Sequence, residues 1–377
     1  MKDITCHIVD SITKIKRDDW NAVFGDIPEG YQFYELLESS CLQEFNFYYL
    51  LLYEGDDLIL IAPLFVADFN LDIAAGGFIK GSVQFLRKIF PRLLIIKTLF
   101  CGSPFGEHGV VGIRDYFNNK NGLIVELVKR IEDFCRQKNI SFILFKDFLK
   151  KETVLLDALL PLGFFQVKSF PSAVTELNFF SFADYLSSLG HSTRKSLRRK
   201  IRKAYAVRNI TVKMTGCIDD IIDDIYQLYL NTYGEGMTKF EKLTREFFLS
   251  VGKKMAPYAT FFLYYVDGKL SAFNLCFVYP DLFIDKFIGF DYDTSKQVHL
   301  YFVSWCYNVE WCLKHNIRFY QSGQTDYSAK IRLGAKLVPL YAYLKHLNPG
   351  TNVIFTLLAK VFKPENFDGD IRDSSDV

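Results

Sequence analysis

Two stretches of the chain repeat one pattern of apolar runs around a polar turn. Residues 45–66 read FNFYYLLLYEGDDLILIAPLFV, and residues 257–278 read PYATFFLYYVDGKLSAFNLCFV, which aligns without a gap. A second pair follows each of them, IEDFCRQKNISFILF at 131–145 and VEWCLKHNIRFYQS at 309–322. Because an internal repeat of this size marks two copies of one structural unit, the sequence predicts two similar halves. Each half should contain a β-hairpin, a further strand, a helix and another strand.

The repeat sets the expected boundaries of the two halves. We predict a first domain over residues 1–180, a second over 181–360, and a flexible acidic tail over 361–377. Residues of about 67–100 have no counterpart in the second half and are interpreted as an insertion. The second half opens with a basic helix, STRKSLRRKIRKAYAV. Hairpins that alternate with amphipathic helices predict an α+β fold, with a mixed and mostly antiparallel sheet flanked by helices in each half.

Composition excludes several classes of protein. The net charge of the 377 residues is only +2, which argues against a surface that wraps nucleic acid. The N-terminus has scattered charges and no apolar core, so we expect no signal peptide and a cytoplasmic protein. The eight cysteines form no CxxC pair and are expected to be reduced thiols. No HxxH or HExxH motif occurs, so no metal site is expected.

Three segments of the second half carry a resemblance to a known family. They are SLRRKIRKA at 196–204, FIGFDYD at 287–293 and FYQSGQTDYSAKIRLGAK at 319–336. With the order of predicted elements, they resemble the tandem GNAT folds of the FemAB-like and cellulose-biosynthesis-type acetyltransferase families. The resemblance implies an N-acyltransferase that moves an acyl group, other than an aminoacyl group, from an acyl-CoA such as acetyl-CoA to an amine. It also implies that the strands FIDKFIGF and IRFYQSG separate to admit the donor.

One departure from the simple GNAT pattern leaves alternatives open. The glycine-containing pyrophosphate loop expected after FIGF is replaced by DYDTSKQVHLY, which has no glycine. A FemAB-like transfer of an aminoacyl group to a cell-wall precursor is one alternative. A non-catalytic binding protein on a degenerate GNAT scaffold is the other. The expected partner is accordingly a small-molecule amine or a cell-envelope precursor.

The candidate catalytic residues are Asp285, Tyr327 and Lys330. Asp285 lies inside an apolar strand, where a carboxylate is either paired or functional, and it would act as general base or bind an amine. By strand alternation, Lys286 should point to the opposite face. Tyr327 and Lys330 follow the IRFYQSG strand. The phenol would protonate a leaving group, and the ammonium would hold an anion.

Two further sets are candidate binding residues. Gln297 and His299 open the helix after FIGF, where backbone N–H groups face an anion, and they would bind the cofactor. Asp291 and Tyr292 end the FIGF strand and would bind substrate, although an aspartate there is also typical of a turn.

The first half offers its own candidate corner. Glu107 and His108 lie in the glycine-rich loop GSPFGEHG and would contact an acceptor amine. The basic residues between 194 and 203 form either a solvated helix face or a contact with RNA or with an anionic membrane, which would place the protein at the inner face of the membrane.

Overall fold

The computed structural model describes residues 4–70, 95–235, 242–360, 364–366, 369 and 371. The chain divides into two units. The first comprises residues 1–38, 42–171 and 339–377, and the second comprises residues 39–41 and 172–338.

The first unit is a mixed sheet flanked by helices. Its strand order is β1-β2-β3-β4-β6-β13, and the short β5 pairs with β3. Only the β4–β6 contact is parallel among these pairs. The strands are β1 Ile4–Val9, β2 Asn46–Glu54, β3 Asp57–Asn70, β4 Ile95–Cys101, β5 Gly112–Ile113, β6 Phe142–Leu149, β7 Phe165–Glu176, which begins here, and β13 Lys336–His346. The helices are α1 Arg17–Phe24, α2 Tyr31–Ser39, α3 Lys120–Gln137, α4 Lys150–Leu156 and α12 Pro349–Ala359, with 3-10 turns at Ile12–Lys14, Asp157–Leu162 and Pro364–Asn366.

The second unit repeats this arrangement. Its sheet has the order β8-β9-β10-β11-β12 followed by the end of β7, and only β11–β12 is parallel. The strands are β8 Ile210–Thr215, β9 Ala259–Val266, β10 Lys269–Val278, β11 Leu282–Phe290 and β12 Phe319–Gln321. The helices are α5 Phe182–Ser188, α6 His191–Val207, α7 Ile222–Glu235, α8 Arg245–Lys254, α9 Tyr292–Val298, α10 Leu300–Lys314 and α11 Tyr327–Arg332, with a 3-10 turn at Asp219–Ile221.

The internal repeat is confirmed by the two hairpins and by the direction in which their strands pair with the neighbouring strands. The β2–β3 hairpin of the first unit and the β9–β10 hairpin of the second each follow an antiparallel outer strand and precede an antiparallel strand. Each tight turn needs positive φ, at Gly55 in one unit and at Asp267 and Gly268 in the other, as two-residue hairpin turns require. The predicted α+β fold of two similar units, each a mixed sheet flanked by helices, is therefore correct.

Two strands, β7 and β13, do not follow the domain boundaries that the sequence predicted. β13, the last strand of the chain, pairs antiparallel with β6 of the first unit over Leu340–His346. The end of β7, which belongs to the first half of the sequence, pairs antiparallel with β12 of the second unit. Residues 339–360 therefore belong to the first unit and not to the domain predicted over 181–360. A single linear boundary at 180 could not express this exchange, because the strands pair with residues that lie far away in the sequence.

The structure describes only parts of the predicted insertion at 67–100 and of the predicted tail at 361–377. β3 extends to Asn70 and β4 begins at Ile95, so the ends of the predicted insertion at 67–100 are strands, and 71–94 lie outside the described residues. Within the predicted tail, Glu365 forms an ion pair with Lys168 at 2.7 Å and Ile371 is buried. Most of the tail lies outside the described residues, and its predicted flexibility remains a prediction.

Candidate active site

The centre of the second unit is a point where two parallel strands stop pairing. β11 and β12 are paired at Leu282–Phe319, Phe283–Tyr320 and Ile284–Gln321, and β12 then ends while β11 continues to Phe290. Past this point the chain continues beside β7, with which β12 is already paired, and Ser322 N donates to Ala173 O at 2.9 Å. The two strands stop pairing here, and the predicted opening that admits the donor remains a prediction. The end of pairing leaves the C-terminal half of β11 without β12 beside it.

A β-bulge lies on the other side of β11 at the same place. Leu275 pairs with Phe287 and Cys276 with Asp285, so Lys286 has no counterpart on β10. Bulges redirect side chains and are frequent beside active sites. The expectation that Asp285 and Lys286 point to opposite faces by simple alternation therefore does not apply here, because the extra residue breaks the period.

The glycine of the FIGF segment has a packing role. A Cβ on Gly289 would lie 2.3 Å from the Phe273 ring and 2.7 Å from the backbone carbon of Leu228. Helix α7 therefore crosses β11 closely enough to exclude any side chain at this position. Two α7 side chains also bind the end of the strand, since Asn231 donates to Phe290 O at 3.1 Å and Thr232 accepts from Phe290 N at 3.2 Å.

Asp285 lies at the break and is held by two neighbouring side chains. The Nδ2 group of Asn274 donates to both carboxylate oxygens, at 2.8 and 3.0 Å, and Tyr320 OH donates to Oδ2 at 2.8 Å. The network extends inward, because Asn308 lies 3.5 Å from Tyr320 OH and accepts from Tyr264 OH at 2.9 Å. A carboxylate that accepts several hydrogen bonds has a fixed orientation and a stabilised charge.

The charge of Asp285 acts on the buried groups around it. Burial, with the Asp285 charge as the next cause, raises the pKa of Tyr320 well above its usual value. The same carboxylate contributes to the raised pKa values of Cys276 and Cys312, for which burial is the main cause. These phenol and thiol groups therefore stay protonated at neutral pH, and the Tyr320 hydroxyl donates to the carboxylate. The arrangement can accept a proton or bind an ammonium group.

Two members of this region were missed in the sequence analysis. Asn274 is fully buried, and among the described residues its Oδ1 has no hydrogen-bond partner. The buried hydroxyl of Tyr301 has none either within that part of the chain, and burial followed by the charges of Asp326 and Asp285 raises its pKa. Asn274 had a signal in the sequence, a lone amide inside the apolar run SAFNLCFV. Tyr301 had none, since an aromatic residue in an apolar helix is typical of a core.

Tyr327 and Lys330 lie on α11, directly after the chain leaves β12. Both are buried, and Lys330 Nζ donates a hydrogen bond to Ser322 O. A buried ammonium is costly unless it is hydrogen-bonded, so Lys330 ties the short helix to the residue that follows β12. Their predicted roles as acid and anion ligand remain predictions.

The basic helix α6 packs against α10. His299, the N-cap residue of α10, has a positive φ of 52°. Burial, then the charges of Lys200, Lys203 and Arg199 of α6, lower the pKa of His299. Burial and the charges of Arg332 and Arg199 also lower the pKa of Lys200. The N-terminus of a 15-residue helix with several cations beside it favours an anion.

The other predicted binding residues around α9 make contacts with a structural role. Asp291 caps α9 through Thr294 N and forms an ion pair with Lys269 at 2.8 Å, as a turn-forming aspartate would. Gln297 accepts from Arg208 at 3.4 Å. Burial raises the pKa of the Tyr292 hydroxyl, which bonds Thr232. These contacts account for Asp291 as a cap, and the predicted contacts of Tyr292 and Gln297 with a ligand remain predictions.

In the first unit, the glycine-rich loop at residues 102–109 occupies the place that corresponds to the β11–β12 strand break. Gly109 N donates to Asp147 O at 2.9 Å, and a Cβ on Gly109 would lie 2.2 Å from Lys146 O. The loop that carries Glu107 and His108 therefore packs directly against β6, where the second unit has its strand break. Glu107 N donates to Glu29 Oε2 at 2.7 Å. The predicted contacts of Glu107 and His108 with an acceptor remain predictions.

Two features are absent from the described residues. Within those ranges, no three His, Cys, Asp or Glu side chains form a group that could hold a metal ion. Among the described helices, none is long and apolar enough to cross a membrane.

Comparison with known proteins finds one family whose sequence profile matches most of the chain. The profile of the FemAB-like family, described as peptidoglycan biosynthesis and recognition, matches residues 11–354. No curated protein matches the chain. The match to the FemAB-like profile includes residues of both units.

Solved structures show the same fold at low sequence identity. The crystal structure of FemX aligns with a TM-score of 0.58 at 12% identity, over 94% of this chain and 100% of FemX. A tandem GNAT protein from the clavulanic acid biosynthesis pathway aligns with 0.56 at 9% identity, over 92% and 99%. L-PGS from Bacillus licheniformis aligns with 0.51 at 11% identity, over 84% and 90%. Family and fold together support an acyltransferase, and nothing in these similarities supports a restriction to groups other than aminoacyl.

Proposed function

Because this chain belongs to the FemAB-like family, we propose that it is an N-acyltransferase whose reaction takes place in the second unit, where β11 and β12 separate. The observation that carries the proposal is the end of strand pairing at Ile284 and Gln321, directly beside the hydrogen-bonded carboxylate of Asp285. Where two parallel strands stop pairing, backbone N–H groups can be directed at a carbonyl oxygen. The donor carbonyl would lie in this break.

The carboxylate provides the second requirement of the reaction. An amine acceptor must lose a proton when it attacks the donor carbonyl, and a positioned carboxylate can accept it. Asn274 and Tyr320 fix Asp285 in one orientation through three hydrogen bonds. Asp285 is the residue to which we assign proton transfer, and Tyr327 is the candidate that protonates the leaving group.

The cations around His299 favour a donor that carries phosphate. The positive charges of Lys200, Lys203 and Arg199 act on His299 at the N-terminus of α10 and help to lower its pKa, and this supports an acyl-CoA or another phosphate-bearing donor. The missing glycine loop is compatible with such a donor, because helix N–H groups bind anions without a glycine. This assignment makes His299 a donor-binding residue. It places Gln297, which accepts a hydrogen bond from Arg208, at the periphery of the donor site.

A second candidate is aminoacyl transfer from a tRNA to a cell-wall precursor. The family description, peptidoglycan biosynthesis and recognition, favours it. The same cations would then bind the phosphates of the tRNA acceptor end. Both candidates use the strand break and Asp285, and they differ in the donor.

Thermal unfolding of the full chain separates these candidates. A ligand that binds only the folded state raises the melting temperature by mass action, so acetyl-CoA, longer acyl-CoAs, free CoA and aminoacyl-tRNA are compared. The variant Lys200→Ala/Lys203→Ala should lose the shift, and Lys253→Ala/Lys254→Ala, at the end of α8, is the matched control. A shift with aminoacyl-tRNA alone would select the second candidate.

Transfer itself is measured with the ligand that gives a shift. Asp285→Asn should keep that shift and lose transfer to an amine or to a peptidoglycan precursor. No shift with any donor would contradict both candidates and favour a binding protein on a degenerate scaffold.

A further inference from the structure

The last helix of the first unit presents its apolar side to solvent. None of the residues of α12 is buried. Its four large aliphatic residues, Val353, Ile354, Leu357 and Leu358, have 57–59% of their surface exposed. At about 100° per residue these four lie on one side of the helix, within an arc of roughly 140°. A helix on a globular protein normally turns such a stripe toward the core.

The opposite side of α12 makes the contacts with the rest of the unit. Asn352 Nδ2 donates to Gly163 O at 2.8 Å, and Asn352 Oδ1 accepts from His346 N at 2.8 Å. The Phe355 ring lies 5.1 Å from that of Phe142. The helix is thus docked through an amide and one aromatic ring. Its polarity is inverted with respect to a core-facing helix.

Among the described residues, the charged residue next to α12 along the chain is a lysine. The helix itself has no charged residue, and the exposed Lys360 follows its last residue. Two acids of the neighbouring elements have partners, since Glu132 pairs with Lys345 at 2.6 Å and Asp157 accepts from Tyr343 OH at 2.6 Å. An aliphatic stripe next to a cation complements an anionic phospholipid surface, which has hydrocarbon below negative headgroups.

The stripe does not fit a second protein copy equally well. Four aliphatic side chains at this exposure offer on the order of 400 Å² of mostly apolar surface, the size of a single exposed patch. A stable interface needs about 800 Å² from each partner. Protein interfaces are also enriched in Tyr, Trp and Arg, and the exposed stripe contains none of them.

We propose that α12 is an interfacial helix by which the chain docks on an anionic phospholipid surface. Val353, Ile354, Leu357 and Leu358 enter the boundary between headgroups and acyl chains, and Lys360 contacts the headgroups. Asn352 and Phe355 keep the helix attached to the first unit. This docking is independent of the chemistry proposed for the second unit.

The test is co-sedimentation of the full chain with vesicles. Vesicles of phosphatidylcholine with 30% phosphatidylglycerol should sediment the protein (a composition chosen as roughly one anionic lipid in three). The variant Val353→Ser/Leu357→Ser should partition at least about tenfold less, because each buried methylene contributes to membrane affinity. Val207→Ser/Met214→Ser, two exposed apolar residues of the second unit, should partition like the unchanged protein. Circular dichroism checks that each variant is folded.

Several outcomes would overturn the proposal. Absence of sedimentation with the phosphatidylglycerol vesicles is one, and unchanged partition of Val353→Ser/Leu357→Ser is another. Equal binding to vesicles of phosphatidylcholine alone, or no effect of Lys360→Glu, would overturn the preference for anionic lipid. A dimer in light scattering that Val353→Ser/Leu357→Ser dissociates would assign the stripe to a second copy instead.

Discussion

Asn274 donates hydrogen bonds to both oxygens of Asp285, at 2.8 and 3.0 Å. The amide is fully buried, and rotating it by 180° would place its oxygen against the carboxylate, so the hydrogen bonds determine its orientation. Asn274 lies on β10 and Asp285 on β11, on either side of the bulge. The pair thus fixes a negative charge at the point where β11 loses its second neighbour.

Replacing Asp285 with Asn should remove activity and leave the fold intact. The side chains have nearly the same shape, but the amide cannot accept a proton, so we expect transfer to fall by about 10²–10⁴-fold. The pKa of Tyr320 should decrease, because the Asp285 charge helps to raise it. Transfer rates and an ultraviolet titration of tyrosine measure these effects. Asp267→Asn, an exposed carboxylate in the β9–β10 turn, is the control, and an unchanged rate in Asp285→Asn would refute the assigned role.

Tyr327→Phe tests the proposed acid on α11. The ring is buried and Phe preserves its packing, so stability should change little. If the hydroxyl protonates the leaving group, transfer should fall by about 10²–10⁴-fold. Leaving groups of lower pKa should partly restore the rate, since they need no proton. A normal rate with every donor would make Tyr327 a packing residue.

Lys330→Met tests whether the buried ammonium acts on a ligand. Methionine keeps most of the volume, but Ser322 O loses its donor, which costs about 1–3 kcal/mol. We expect weaker donor binding beyond this loss of stability, measured as Kd at a temperature where the variant is fully folded. Unchanged affinity in the folded variant would restrict Lys330 to its contact with Ser322.

His299 predicts a stability change in the weakly acidic range. Burial and three cations lower its folded-state pKa below 6.5, so the unfolded chain binds more protons between that pKa and about 6.5. Stability should therefore decrease as pH falls through this window. His299→Gln should make the dependence shallower in denaturant unfolding. Inorganic phosphate should raise the pKa of His299 in an NMR titration if the cations bind anions, and a pKa that phosphate leaves unchanged would contradict that site.

Gly109→Ala should destabilise the first unit strongly. The new Cβ would lie 2.2 Å from Lys146 O and 2.6 Å from the Phe148 ring, so the loop must move off β6. We expect a loss of about 1–3 kcal/mol or more. Gly190→Ala, where no atom lies within 4 Å of the added Cβ, is the control. Equal unfolding midpoints for the two variants would show that the loop is not packed on β6.

The sequence predicted the fold better than the details of the site. The gapless match of 45–66 with 257–278 identified both hairpins, because apolar alternation and a glycine turn are local signals. It could not identify the sheet that β13 joins, since strand pairing depends on distant residues. Asp285 was found as a lone charge in a strand. Its partner Asn274 was overlooked, and the bulge at Lys286 was not visible because it depends on the register between two strands.

The place of β13 has a consequence for how the polypeptide is made. A ribosome releases residues 1–171 well before residues 340–346, yet β6 gains its antiparallel neighbour only from the latter. The N-terminal unit therefore cannot complete its sheet until every residue of the second unit has been synthesised. A gene truncated at residue 335 would retain the β11–β12 break and Asp285 but leave the edge of β6 exposed to aggregation.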